Sequence, residues 1–149
     1  MKAVLHADGG ARGNPGPAGI GVVLEDGSGR ILGEIAEGIG RATNNVAEYR
    51  ALIAGLQLAR ELGVSELEVW MDSQLVVAQV MGEWKIKSPS LRSLAVEARA
   101  LLSKFSKFSL KHVSRELNAD ADKLANQGMD ASALDDDDEP VSQRFTLPD

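Results

Sequence analysis

Four acidic positions sit where structure alone gives little reason for an acid: Asp8, Glu48, Asp72, and one of the pair Asp120 and Asp122. Asp8 follows an alternating stretch and precedes two glycines. Asp72 closes the apolar run Leu67–Met71, just before Ser73. Each alone reads as a turn former or as a charge at a helix N-terminus. In open α/β sheets, however, ligands gather outside the carboxyl ends of strands, so two acids at such ends face each other if their strands are neighbours. Glu48 shares a helical face with Leu52, Gly55, Leu56 and Ala59, the stripe that has to pack on a sheet. A partly desolvated carboxylate there costs several kcal/mol unless it is paired or holds a cation. The competing reading is a cap near the helix start. Asp120 and Asp122 open the last helical stretch, where acids suit the helix dipole. Asp122 borders the Leu124, Ala125, Met129 face and reaches inward more easily.

Carboxylates converging on one sheet edge suit hard cations with oxygen ligands, such as Mg²⁺ or Mn²⁺. The chain has no cysteine and only two histidines, His6 and His112, which argues against a zinc site of the usual nitrogen and sulfur type. A pair of cations about 3.5–4 Å apart suits in-line displacement at phosphorus.

The elements that must position these acids follow from periodicity. Residues 2–8 alternate as a strand, with Ala3, Leu5 and Ala7 on one side. The glycine- and proline-rich stretch from Gly9 to Gly19 reads as a turn region. Two further strands are expected over about Ile20–Glu25 and Arg30–Gly38, joined by Asp26-Gly27-Ser28-Gly29. A helix is predicted from Asn44 to Leu62, ending at Gly63, and a strand over Leu67–Met71. A helix over Ser73–Met81, another over Leu91–Leu102, a strand over Phe108–Val113 and a helix over Asn118–Met129 complete the order. The class is α/β, a mixed sheet with helices on its faces. Residues 1–130 form the expected domain, and 131–149 an acidic tail without packed structure, since the aspartate run has few apolar anchors.

The net charge of −6 argues at first against nucleic acid. Yet six of the 22 acids and only one of the 16 bases lie in residues 135–149, so the remainder is close to neutral. No apolar run approaches the roughly 20 residues of a membrane span, and no signal-peptide pattern opens the chain. A monomeric cytoplasmic protein is expected.

Four motifs occur in order: Asp8-Gly9-Gly10-Ala11-Arg12-Gly13-Asn14-Pro15-Gly16-Pro17; Thr43-Asn44-Asn45-Val46-Ala47-Glu48; Met71-Asp72-Ser73-Gln74; and Asn118-Ala119-Asp120-Ala121-Asp122-Lys123-Leu124-Ala125. Together they resemble type 1 ribonuclease H over about residues 2–130. The resemblance implies a five-stranded mixed sheet of order 3-2-1-4-5 with strands 1–3 antiparallel. It also implies hydrolysis of the RNA strand of an RNA–DNA hybrid, giving 5′-phosphate and 3′-hydroxyl ends, with two Mg²⁺ ions and Mn²⁺ as a substitute. Carried over by position, the metal-binding carboxylates are Asp8, Glu48, Asp72 and Asp122. Asp122 is preferred to Asp120 because it directly precedes Lys123-Leu124-Ala125. Asn14, Asn44, Asn45 and Gln74 match positions on the hybrid's minor groove, and Arg41 with Thr43 matches a phosphate-holding pair. The chemistry fits, because the ribose 2′-hydroxyl lines the wide minor groove of A-like helices and amide side chains both donate and accept there. Asn44 and Asn45 also suit a helix cap.

The chain departs from the family pattern in three places. The loop before the last helix, Ser114-Arg115-Glu116-Leu117, lacks the histidine that many members carry there, and Arg115 is the best-placed substitute. His112, alternating with Leu110, reads as a structural residue. The basic helical protrusion of some members is reduced to Gly82-Glu83-Trp84-Lys85-Ile86-Lys87-Ser88-Pro89, where Trp84, Lys85 and Lys87 can retain part of the contact, so weaker hybrid binding is expected. No separate hybrid-binding module is expected before the first strand, and some relatives fuse a second enzyme domain after this one.

A dinucleotide-binding reading of the glycine-rich loop requires a helix directly after it, but Pro15 and Pro17 lead into an alternating strand. A resolvase or integrase core would share the carboxylates without accounting for Asn14 and the Thr43-Asn44-Asn45 set. A non-catalytic hybrid-binding module is the non-enzymatic alternative.

Overall fold

The computed structural model describes residues 1–146, with side chains described as far as residue 135. Five strands, β1 (Lys2–Ala11), β2 (Gly16–Asp26), β3 (Ile31–Ala42), β4 (Glu66–Met71) and β5 (Lys107–His112), form one sheet of order β3-β2-β1-β4-β5. β1–β2 and β2–β3 are antiparallel, and β4 joins β1 and β5 in parallel. The helices are α1 (Asn44–Glu61), α2 (Gln74–Val80), α3 (Pro89–Leu102) and α4 (Ala119–Thr146), with a 3₁₀ turn over Arg115–Asn118 before α4. The order and directions expected from the family resemblance are those observed.

One face of the sheet carries α1, with α3 packed beside it. The alternating set Ala3, Leu5 and Ala7 is fully buried with Leu52, Leu56 and Ala59 of α1. Thr43 starts α1 by accepting a hydrogen bond from the Val46 amide on its side-chain hydroxyl at 3.3 Å. Gly63, at φ +79°, ends it as expected. The other face carries α4, which lies against β2 and β3.

The stretch from Gly9 to Gly19 is mostly strand, not turn. β1 runs to Ala11 and β2 starts at Gly16, leaving only residues 12–15 to turn, closed by Arg12 N donating to Pro17 O at 2.9 Å. The glycines serve close approach instead. A β-carbon on Gly9 would overlap the Ala47 carbonyl of α1, and one on Gly19 would overlap the Met129 amide of α4.

The boundary expected at residue 130 falls inside α4. Ser132 is 3% exposed; its hydroxyl donates to Ala18 O at 2.6 Å and accepts from Gly40 N at 3.1 Å. A helix of small residues lying on glycine strands packs without the large apolar anchors on which a sequence pattern depends. The last three residues of the expected tail, 147–149, lie outside the described residues. Among the described residues, no helix is long and apolar enough to cross a membrane.

Candidate metal and nucleic-acid site

Asp8 does not end its strand, as the sequence suggested; it lies within it. Its position is set by where one neighbour stops. β4 pairs with β1 only from Lys2 to His6, whereas β2 stays paired to Ala11. Asp8 therefore lies two residues past the last β4-paired position, in the opening between diverging strands. Asp72 follows the last residue of β4, at the same edge. Glu48 arrives from α1, whose first turns press on Gly9. One carboxylate oxygen from each of Asp8, Glu48 and Asp72 lies within 4.8 Å of the other two. Asp122, from α4, reaches the same cluster by hydrogen bonding to the Asp8 side chain. Asp120 is exposed and lines a different hollow, about 300 Å³, with His6, Glu25 and Glu116.

Clustered acids shift one another's protonation. Asp8 is 7% exposed, and its carboxyl is pushed up to about 9, first by burial, then by the charge and hydrogen bonding of Asp72 and by Asp122. Burial pushes Glu48 up to about 7; the Ser73 hydroxyl, hydrogen-bonded to it, opposes the shift and Asp72 adds to it. Ser73 also caps α2, accepting from Val76 N at 3.2 Å. Two cis oxygens on one Mg²⁺ lie about 3 Å apart and two trans oxygens about 4.2 Å, from a bond length of about 2.1 Å. Oxygens within 4.8 Å of one another need only small movements to reach that range, and a divalent charge would offset both the burial that chiefly raises Asp8 and the neighbouring charge of Asp72. The donor set fits a hard cation.

Arg115 stands over this cluster, 82% exposed, with Nε 3.8 Å from Asp72 Oδ2. His112 is exposed at the end of β5, opposite Met71 in the parallel register.

The expected substrate residues line the same edge. Asn14 Oδ1 accepts from the Asn44 amide at 3.1 Å, and Asn44 Oδ1 accepts from Ala11 N at 3.4 Å, which stitches the β1–β2 turn to the start of α1. Asn45 is half-buried, three residues before Glu48, and Gln74 is exposed, two residues after Asp72. Arg41 reaches the same turn, donating to Pro15 O at 3.5 Å, near the Thr43 cap.

Sequence reading missed three supporting residues. Ser73 was visible only as a helix start. Arg12 pairs with Asp130 at 2.5 Å and approaches Asn126 O at 3.4 Å, tying the turn that carries Asn14 to α4. Asn118 is buried and donates to Ala7 O at 3.0 Å, anchoring the start of α4 one residue from Asp8. An asparagine just before a predicted helix was the only sequence signal for it, and it does not show the contact with Ala7.

Residues 6–128 match the family described as reverse transcriptase-like. The bifunctional protein Rv2228c of Mycobacterium tuberculosis is 56% identical over 135 residues, covering 89% of this chain and 37% of that protein. The chain thus spans well under half the length of that relative. The crystal structure of RNase H1 from Halobacterium salinarum superposes with a TM-score of 0.85 at 47% identity, covering 88% of this chain and 99% of that one. LC11-RNase H1, solved in complex with an RNA/DNA hybrid, gives 0.82 at 42% identity over 88% and 99%. With this order of strands, this cluster of acids and these relatives, the chain belongs to the type 1 ribonuclease H family, within the ribonuclease H-like superfamily.

Proposed function

We propose that this chain hydrolyses the RNA strand of RNA–DNA hybrids with two divalent cations, Mg²⁺ by preference and Mn²⁺ as a substitute. The observation that carries this is the meeting of Asp8, Glu48 and Asp72 beside a row of amide side chains. In the reaction a water oxygen bonds to phosphorus and the bond from phosphorus to the ribose 3′-oxygen breaks. The new ends are a 5′-phosphate and a 3′-hydroxyl, the latter taking up a proton. Asp8, Glu48, Asp72 and Asp122 would hold the cations, which when bound supply electrophilic stabilisation of the scissile phosphate and of the attacking water.

The chain's own residues do the rest. Asn14, Asn44, Asn45 and Gln74 present donors and acceptors to the 2′-hydroxyls of the RNA strand and the minor groove. Arg41 and Thr43 hold a backbone phosphate on the same side. Arg115 contributes positive charge beside Asp72 and orders water there or helps the product leave.

The test is a labelled RNA–DNA hybrid incubated with the protein and Mg²⁺, with and without EDTA. Cleavage of the RNA strand that EDTA abolishes is the expected result. Binding without cleavage would make the chain a hybrid-binding module, and preferential cutting of duplex DNA would move it to the resolvase or integrase nucleases.

A further inference from the structure

The segment between α2 and α3 displays Trp84, 46% exposed, with exposed Lys85 and Lys87 on either side of Ile86. Its backbone is unusually well tied for a surface connection. The amides of Glu83 and Trp84 both donate to Ala78 O, at 2.8 and 3.2 Å. Arg92 Nη2 donates to Ile86 O at 2.8 Å, and Arg99 holds the last carbonyls of α2, Gln79 O at 2.6 Å and Val80 O at 2.9 Å.

The centre of this arrangement is the Gln79 side chain, 6% exposed. Its Nε2 donates to Lys85 O at 3.3 Å, and its Oε1 accepts from the buried Tyr49 hydroxyl at 2.8 Å. Tyr49 follows Glu48 in α1. A single amide therefore spans from the neighbour of a clustered carboxylate to the backbone beneath Trp84 and Lys85. An apolar residue would fill the same space among Val76, Val77 and Val80 without the desolvation cost of an amide. What the amide adds is a fixed offset between α1 and this segment.

We infer that Gln79 is a positioning residue: it holds the Trp84–Lys85 surface at a set distance from the carboxylate cluster, so that one strand of the nucleic acid rests there while the other meets the cluster. This rests on the hybrid reading given above. Trp84 supplies a flat apolar contact and the two lysines neutralise phosphates. Arg92 acts in the same way on the far side of the segment, through Ile86 O.

The test is steady-state cleavage of an RNA–DNA hybrid by the full chain and by Gln79→Met, which keeps the bulk and removes the amide. KM should rise roughly three- to ten-fold, the worth of one buried hydrogen bond, with kcat unchanged. On a Trp84→Ala/Lys85→Ala background, the same substitution should change KM less than about two-fold, because the surface it positions is gone. Effects that multiply on that background, or a fall in kcat with KM unmoved, would overturn the inference. Should Gln79→Met fail to fold, the exposed Arg92→Met variant carries the same test, and additivity with Trp84→Ala/Lys85→Ala there would overturn it equally. A wild-type chain that leaves the hybrid uncut would bring down the hybrid reading itself. A wild-type chain that cuts, with Gln79→Met indistinguishable from it, brings down only this role of Gln79.

Discussion

Substituting Glu48 with glutamine should stabilise the metal-free protein above neutral pH, and the size of the effect follows from the site. Burial raises the Glu48 carboxyl from 4.5 to about 7. Between those values the folded chain retains a proton that the unfolded chain has released, so stability falls as pH rises through this window. At about 1.4 kcal/mol per pH unit the penalty approaches roughly 3 kcal/mol once the pH passes 7. For a chain of this length that corresponds to a melting temperature about 6–12 °C lower. Glu48→Gln keeps the shape and an acceptor for the Ser73 hydroxyl but has no charge to desolvate. Thermal unfolding in EDTA should therefore show the variant close to wild type at pH 5 and clearly more stable at pH 8. Saturating Mg²⁺ at pH 8 should raise the wild type more than the variant, since binding to the folded state alone adds stability. A variant that is no more stable than wild type at pH 8, or a difference equal at pH 5 and pH 8, would refute the argument that Glu48 is held against its own desolvation.

Asp72→Asn removes a ligand charge with little change of shape; cleavage should fall on the order of 10²–10³ or more while the melting temperature stays near that of wild type, and full residual activity would remove Asp72 from the site. Gly9→Ala places a methyl group on the Ala47 carbonyl, so a loss of roughly 1–3 kcal/mol in denaturant unfolding should come with a lower kcat as Glu48 is displaced from Asp8. Arg115→Ala should lower kcat more than it raises KM for the hybrid, as expected of a positive charge standing beside Asp72; a kcat equal to that of wild type would remove Arg115 from the reaction.

The sequence made the carboxylate cluster legible for a specific reason. Glu48 interrupts an otherwise apolar helical stripe, and Asp8 and Asp72 follow two apolar strand stretches, which marks three acids as candidates; that they share one edge depends on β1 and β4 being neighbours, which periodicity alone does not give. The strand order came from the family resemblance, which the hairpin pattern of the first three strands supports. What remained illegible depends on backbone proximity. Gly9, Gly10 and Gly19 read as turn residues because composition does not distinguish a glycine that bends the chain from one that admits a neighbouring helix. The extension of α4 past residue 130 was hidden in the same way, since Ser132 packs through two hydrogen bonds and small size rather than apolar area. Ser73, Arg12 and Asn118 act through atoms of residues far away in the chain, which spacing does not show.

The glycines and the carboxylates belong to one physical arrangement. Bringing Asp8, Glu48 and Asp72 within 4.8 Å of one another is unfavourable in itself: burial is the main cause that raises the Asp8 and Glu48 carboxyls, and the charge of Asp72 raises both further. Something must hold the elements against that repulsion, and flexible side chains would not, because they would rotate apart. Here the backbones do it. Gly9 lets α1 lie directly on β1 beside Asp8, and Gly21, which pairs with Asp8 across the ladder, lets α4 lie directly on β2 at Ala121 and Ala125, on either side of Asp122. Closely packed main chain resists displacement more than side-chain contacts do, since no rotamer change relieves it. The repulsion is therefore retained in the folded chain until a cation relieves it, and a site with this history favours a divalent ion over a proton as pH rises. Enlarging Gly9 or Gly21 should consequently weaken cation binding as well as the fold, even though neither glycine offers a ligand atom.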